Sequence, residues 1–272
     1  MKPAPLAYER ASDVQSAVKL AQQDDVVVKF LAGSQSLGPM LNLRLVQPDL
    51  LVDITHIPEL TQVDENDDGI TFGACVTHAD IEDLRVPDVT RGALPAVARG
   101  IAYRAVRNRG TVGGSLVHAD PAADWVSTLA AVGATVTIAG PSGTRRVPVE
   151  DLMVSVFETS LEPGEILASV HIPRFSADAR WGHYKITRKT GEFAHAMAVL
   201  LKDPARNVCR LVIGAIEAKP IVIADASAYF DPAGHLNTDK IETLFAESGL
   251  KDPIANKIHM TALTRAVQRA QL

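Results

Sequence analysis

Cysteine is nearly missing from this chain: Cys75 and Cys209 are the only two in 272 residues, and each stands alone. That excludes a disulfide framework and any Cys-rich cluster site within the chain. Excess positive charge is missing too. With 27 Lys and Arg against 32 Asp and Glu, the net charge is −5, and no strong field recruits nucleic acid or an anionic membrane. No apolar run approaches a membrane span, and the stretch Met1–Tyr8 lacks the apolar core of a signal peptide. The expected location is therefore cytoplasmic, with no nucleic-acid partner and no integral membrane segment. Neither G-x-G-x-x-G nor the Lys-Ser/Thr ending of a P-loop occurs, so the common nucleotide fingerprints fail. Internal repeats and low-complexity linkers are also absent.

What is present suits a globular protein: 47% hydrophobic and 22% charged residues, in a length that holds two or three subdomains. One stretch dominates, Arg107-Asn108-Arg109-Gly110-Thr111-Val112-Gly113-Gly114-Ser115, continuing through Val117 and His118 to Asp124. Glycines beside hydroxyls let a backbone approach a ligand and aim N–H groups at an anion, and the arginines add positive potential. Taken as physics alone, this is an anion site or a Gly-rich turn between two strands. Asp120-Pro121 reads as a helix start, with Asp120 as the N-cap.

A second loop lies upstream. The buried-strand pattern Val26–Leu31, which includes Lys29, Phe30 and Leu31, runs into Ala32-Gly33-Ser34-Gln35-Ser36-Leu37. A strand feeding such a loop is a phosphate-binding arrangement in several nucleotide folds. Ser12 with Gln15 predicts a capping box, and Thr77 to Asp80 caps another helix. Strands are predicted at 50–54, 70–74, 166–172, 182–187, 195–201 and 209–215. A hairpin is predicted around Pro141–Gly143, and helices close the chain.

Two phosphate-type loops, each next to a strand and in this order, resemble the FAD-binding medium subunit of the molybdenum hydroxylases, the xanthine dehydrogenase and carbon monoxide dehydrogenase family. Leu43-Arg44-Leu45, Leu51–Ile54, Glu165-Ile166-Leu167, Ile172-Pro173 and Tyr184-Lys185 extend the likeness over nearly the whole chain. The first loop reads Ala32-Gly33-Ser34-Gln35 where the family more often has two glycines.

The resemblance implies an α+β architecture. A two-subdomain FAD-binding fold of the vanillyl-alcohol-oxidase type spans 1–175, with subdomains about 1–58 and 59–175. A C-terminal domain, 176–272, adds a three-stranded antiparallel sheet and helices. It implies non-covalent FAD, with Lys29 through Leu37 lining the diphosphate and ribityl chain. Gly110, Thr111, Gly113, Gly114 and Ser115 would grip the pyrophosphate from the other side, with Val117 also among the cofactor contacts. Asp124 would accept from a ribose hydroxyl or the adenine side, Ile101 and Leu167 would pack on the ring, and Lys185 would favour the reduced, anionic flavin. It further implies a small [2Fe–2S] subunit and a large molybdopterin subunit as partners, in a dimer of heterotrimers. The chain would then take electrons from the clusters and pass them to an external acceptor.

No catalytic acid–base set is legible, and His118, Asp120 and Asp124 lack the second His-rich segment that a closed metal site needs. The alternative reading is a stand-alone FAD oxidoreductase of the same fold. Arg107 and Arg109 either touch phosphate or brace their loop.

Overall fold

The computed structural model describes residues 2–270, in which three main sheets succeed one another along the chain. In the first, β1 (Ala7–Arg10), β2 (Val28–Leu31) and β3 (Leu50–Asp53) run parallel in the order β1-β3-β2. Parallel neighbours need crossovers, which here contain α1 (Val14–Leu20) and α2 (Leu37–Asn42). The box that starts α1 sits one residue later than expected. Asp13 accepts from the Ser16 amide at 2.7 Å, while Ser12 spends its hydroxyl on Asp13.

The second sheet is antiparallel, in the order β4 (Val63–Glu65), β5 (Gly69–Gly73), β10 (Ile166–Pro173), β6 (Thr135–Gly140), β7 (Gly143–Pro148). Between its strands lie α3 (His78–Glu82), α4 (Ala93–Gly100), α5 (Arg104–Arg107), α6 (Val112–His118) and α7 (Asp124–Ala131). After β7 come α8 (Val149–Leu152) and the small ribbon β8 (Met153–Ser155) with β9 (Glu158–Thr159). Thr77 and Asp80 form the reciprocal cap of α3, as their spacing predicts.

The third sheet carries three long antiparallel strands, β11 (Arg180–Ile186), β12 (Ala196–Asp203) and β13 (Val208–Gly214). A short fourth, β14 (Ile221–Ile223), extends the expected three, and α9 (Thr238–Glu247) and α10 (Pro253–Arg269) cover one face. The apolar run in β12 has a direct cause. Its side chains alternate between faces, so Ala196, Ala198 and Leu200 join the core under α9 and α10, while Val199 and Leu201 join the larger core of the preceding sheets. Helix α7 lies against β12 and β13 from that second side.

Helix α7 begins at Asp124, not after Asp120. Ala119 turns left-handed at φ 50°, and Asp120 instead closes a turn by accepting from the Ala122 amide at 2.9 Å. The next residue, Trp125, is fully buried, and its indole N–H donates to Nδ1 of His78 at 3.0 Å. That bond requires an unprotonated Nδ1. Burial pushes the His78 imidazolium down to about 4, with Arg107 adding to the shift and Asp124 opposing it. His78 is therefore neutral in the fold, while the unfolded chain takes up a proton below its ordinary value of 6.5. Stability from this group is complete above pH ~6.5 and drains away as pH falls towards ~4, by on the order of 3 kcal/mol. Urea unfolding across that range checks this. His78→Asn, which keeps an acceptor for Trp125, is expected to flatten the wild-type loss by about one proton's worth of slope.

Candidate functional site: two loops in backbone contact

Strand β2 delivers the first loop. Lys29 is exposed, whereas Phe30 and Ala32 pack partly against the core and Leu31 is half-buried. Beyond the strand, the amide N–H groups of Gly33, Ser34, Gln35, Ser36 and Leu37 find no acceptor within the chain among the described residues. Ser34 sits at φ 61°. A left-handed residue inside a run of uncommitted N–H groups is the backbone pattern of an anion nest. The serine keeps the left-handed backbone that a second glycine would adopt without cost, so the family departure at this position leaves the turn intact. The Ser34 and Ser36 hydroxyls also lack partners within the chain among the described residues.

The second stretch is neither an open cradle nor a turn between strands. Gly113 and Gly114 lie in the first turn of α6, and that turn is already satisfied. Thr111 accepts from the Gly114 amide at 3.0 Å, Val112 donates to Val76 at 3.0 Å, Gly113 to Ala74 at 2.9 Å and Ser115 to Thr111 at 3.0 Å. The amides of Val112, Gly113, Gly114 and Ser115 are thus committed within the chain, because helix geometry and Thr111 claim them first. Gly113 is buried, and a Cβ there would lie 2.5 Å from that of Ala74. Gly110 rests on the His78 ring. Gly114, by contrast, is exposed, as is Val117, and Ser115 is half-buried, its hydroxyl without a partner among the described residues.

The two loops meet through Gly33. A Cβ at that position would run into the carbonyl oxygen of Arg109, with Gly110 Cα only 2.8 Å away. Only a residue without a side chain allows this approach. It brings the free amides of residues 33–37 beside the exposed start of α6, where Gly114 faces Ala32.

Lys185, on β11, reaches this region from the third sheet. Its Nζ donates to the Gly100 carbonyl at 2.9 Å and to Asp124 Oδ2 at 2.8 Å. It is a bridging, part-buried cation and not a solvated strand lysine. His183, two residues earlier and so on the same strand face, places Nε2 3.5 Å from Asp124 Oδ1. At that distance neither atom has a hydrogen-bond partner, and both are buried. Burial disfavours the Asp124 carboxylate, but His183 and the Lys185 charge outweigh it and hold the group below the ordinary carboxylate range.

The arginines separate. Arg107 braces the loop: it binds Glu82 through Nε at 2.6 Å and donates to the Ile101 and Ala102 carbonyls at 2.9 and 3.1 Å. Arg109 stays exposed, and its backbone carries the contact with Gly33. Ile101 is half-buried just beyond α4, whereas Leu167 is only 2% exposed in the core of the second sheet. His118 stacks against Phe157 with ring centroids 5.1 Å apart. His78 and His183 were not among the expected site residues. A period of two along β11 points from Lys185 to His183, but no local signal marks His78.

This donor set fits FAD. A diphosphate is matched by free amides and hydroxyls, and the contact at Gly33 keeps both walls within reach of one extended molecule. Comparison with known proteins agrees. Residues 4–175 match the family model of the FAD binding domain in molybdopterin dehydrogenase. The chain is 37% identical to the alpha subunit of the 6-hydroxypseudooxynicotine dehydrogenase complex of Paenarthrobacter nicotinovorans, over 100% of this chain and 97% of that protein. It is 33% identical to the carbon monoxide dehydrogenase medium chain of Hydrogenophaga pseudoflava, over 82% and 78%. Among solved structures, carbon monoxide dehydrogenase from Hydrogenophaga pseudoflava superposes with a TM-score of 0.89 at 29% identity, covering 100% of this chain and 99% of that one. Quinoline 2-oxidoreductase from Pseudomonas putida 86 gives 0.86 at 30%, with the same coverage. This chain therefore belongs to the FAD-binding medium subunits of the molybdenum hydroxylase family, a family of oxidoreductases.

Proposed function

We propose that the chain is the electron-transfer subunit of its complex, receiving electrons from [2Fe–2S] clusters of a small partner subunit and delivering them to an external acceptor. A large molybdopterin subunit would perform the substrate chemistry, in a cytoplasmic dimer of heterotrimers. The observation that carries this reading is the run of free amides at residues 33–37 held against Arg109 and Gly110. Bound there, FAD supplies one- and two-electron exchange. The charged groups beside the cleft favour a carrier over a stand-alone oxidase. Asp124 and Lys185 neutralise each other, and Arg107 is spent on Glu82, so none of these three is left to serve as a general acid or base.

In this reading residues 1–175 hold the cofactor and 176–272 close over it. The amides of Gly33 through Leu37, with the Ser34, Ser36 and Ser115 hydroxyls, would hold the diphosphate. Gly114 and Val117 would line the exposed side of α6, and Ile101 would pack on the ring. We assign Asp124 to anchoring Lys185, not to the ribose, because one carboxylate oxygen is taken by Lys185 and the other is buried. Leu167 serves the core.

Neither loop offers a cysteine as a covalent tether, so denaturation by heat or acid is expected to release all flavin into the supernatant. Yellow colour persisting on a denaturing gel refutes this. Gly33→Val is expected to abolish flavin retention, since the new side chain must displace the Arg109 carbonyl and part the two loops. Retention at the wild-type level would disprove the proposed cradle.

Lys185→Met is expected to lower the flavin midpoint potential by tens of millivolts, because it removes a cation and uncovers the Asp124 charge. The estimate follows from ~1–4 kcal/mol for one partly screened charge and ~30 mV per 1.4 kcal/mol in a two-electron couple. Breaking the pair also costs on the order of 3–5 kcal/mol of stability, as for other buried pairs that lose one partner. Asp124→Asn combined with Lys185→Met should recover most of both losses. Potentiometric titration and urea unfolding read the two effects separately.

A further inference from the structure

A cavity of about 420 Å³ lies between the middle of α4, the start of β11 and the end of α10. Arg91, Arg180 and Arg269 line it together with Trp181 and His183. Several arginines elsewhere are matched by a carboxylate: Arg104 and Arg107 by Glu82, Arg145 by Glu165, Arg174 by Glu65. These three have no carboxylate within 4 Å among the described residues. Arg269 is positioned by donating to the His183 carbonyl at 3.0 Å and by lying 4.6 Å from the centre of the Tyr184 ring. Trp181 is fixed by its indole N–H, which donates to the Arg91 carbonyl at 3.1 Å. Arg91 and Arg180 make no side-chain hydrogen bond within the chain among the described residues.

Three unmatched guanidinium groups around one concavity repel one another, and the chain as a whole is acidic. Guanidinium groups pair bidentately with phosphate oxygens, and an indole offers a face to a flat ring. The volume lies within the range of small-molecule sites. We infer that this cavity binds a phosphorylated small molecule of the nucleoside diphosphate class, with the phosphates on the arginines and the base against Trp181. The cavity adjoins the proposed cofactor region, because His183, which lines it, lies 3.5 Å from the same Asp124 carboxylate that holds Lys185.

Calorimetric titration of the flavin-loaded full chain with ADP, inorganic pyrophosphate and adenosine tests it. ADP is expected to bind at one site and pyrophosphate more weakly, with adenosine weakest of the three. Both phosphate-bearing ligands should lose affinity as salt rises. Arg91→Ala with Arg180→Ala is expected to weaken ADP by about tenfold or more, as loss of charge-assisted bonds to phosphate requires, while flavin content stays at the wild-type level. Arg180→Glu alone should weaken it further than Arg180→Ala. Absence of binding by the wild-type chain, equal binding by the variants, or adenosine binding as tightly as ADP overturns the assignment. Loss of flavin from the double variant overturns it in favour of a cofactor subsite. Binding that disappears when the chain is assembled in its complex overturns it in favour of an acidic segment of a partner subunit.

Discussion

The close approach of Gly33 to the Arg109 carbonyl is the constraint on which the site depends. One loop hangs from the parallel sheet near the start of the chain, and the other is held by α5 and α6 more than seventy residues later. Held apart, each is an ordinary connection. Held in backbone contact, the free amides of one sit beside the exposed first turn of the other. The left-handed Ser34 belongs to the same arrangement: such a conformation costs a non-glycine residue on the order of 1–2 kcal/mol, and the surrounding fold sustains it.

Division of labour between the two loops follows from where their N–H groups go. Helix α6 uses its own opening amides on Thr111, Ala74 and Val76, which locks it to the second sheet. The first loop leaves its amides uncommitted. One wall is thus rigid and presents little more than shape at Gly114, while the other presents the donors. A glycine pair need not signal donated amides; here Gly113 lets a helix pack closely against Ala74, and Gly114 lets the Thr111 hydroxyl sit where a Cβ would lie only 2.7 Å away.

Two charges near the cleft, Lys185 and Arg107, are matched over long distances. Lys185 joins the end of α4 to the start of α7, and Arg107 ties α5 to Glu82 at the end of α3. These pairs connect the third sheet and the short helices to the loops, so the site's electrostatics and its mechanical support come from the same bonds. The cavity lined by Arg91, Arg180 and Arg269 stands out against this matching.

Local signals in the chain were sufficient for much of the fold. The reciprocal cap of Thr77 and Asp80, the hairpin around Pro141–Gly143, the strand pattern at 195–201 and the strand leading into Ala32-Gly33 each act within a few residues, where propensity, capping and period operate. The family motif was equally legible, since it is a matter of residue order. Other features were decided only by tertiary packing. Residues 112–118 form a helix despite two glycines because Thr111 caps it and Ala74 receives it. Asp124 is spent on a lysine 61 positions away, and Leu167 is closed into a core by neighbours in the second sheet. Arg107, which the sequence left open between phosphate contact and bracing, binds Glu82, 25 residues earlier. Short-range order determines which groups the chain carries and on which elements they ride. Which of them remain free for a ligand depends on contacts between distant segments, and those exist only once the three sheets are packed.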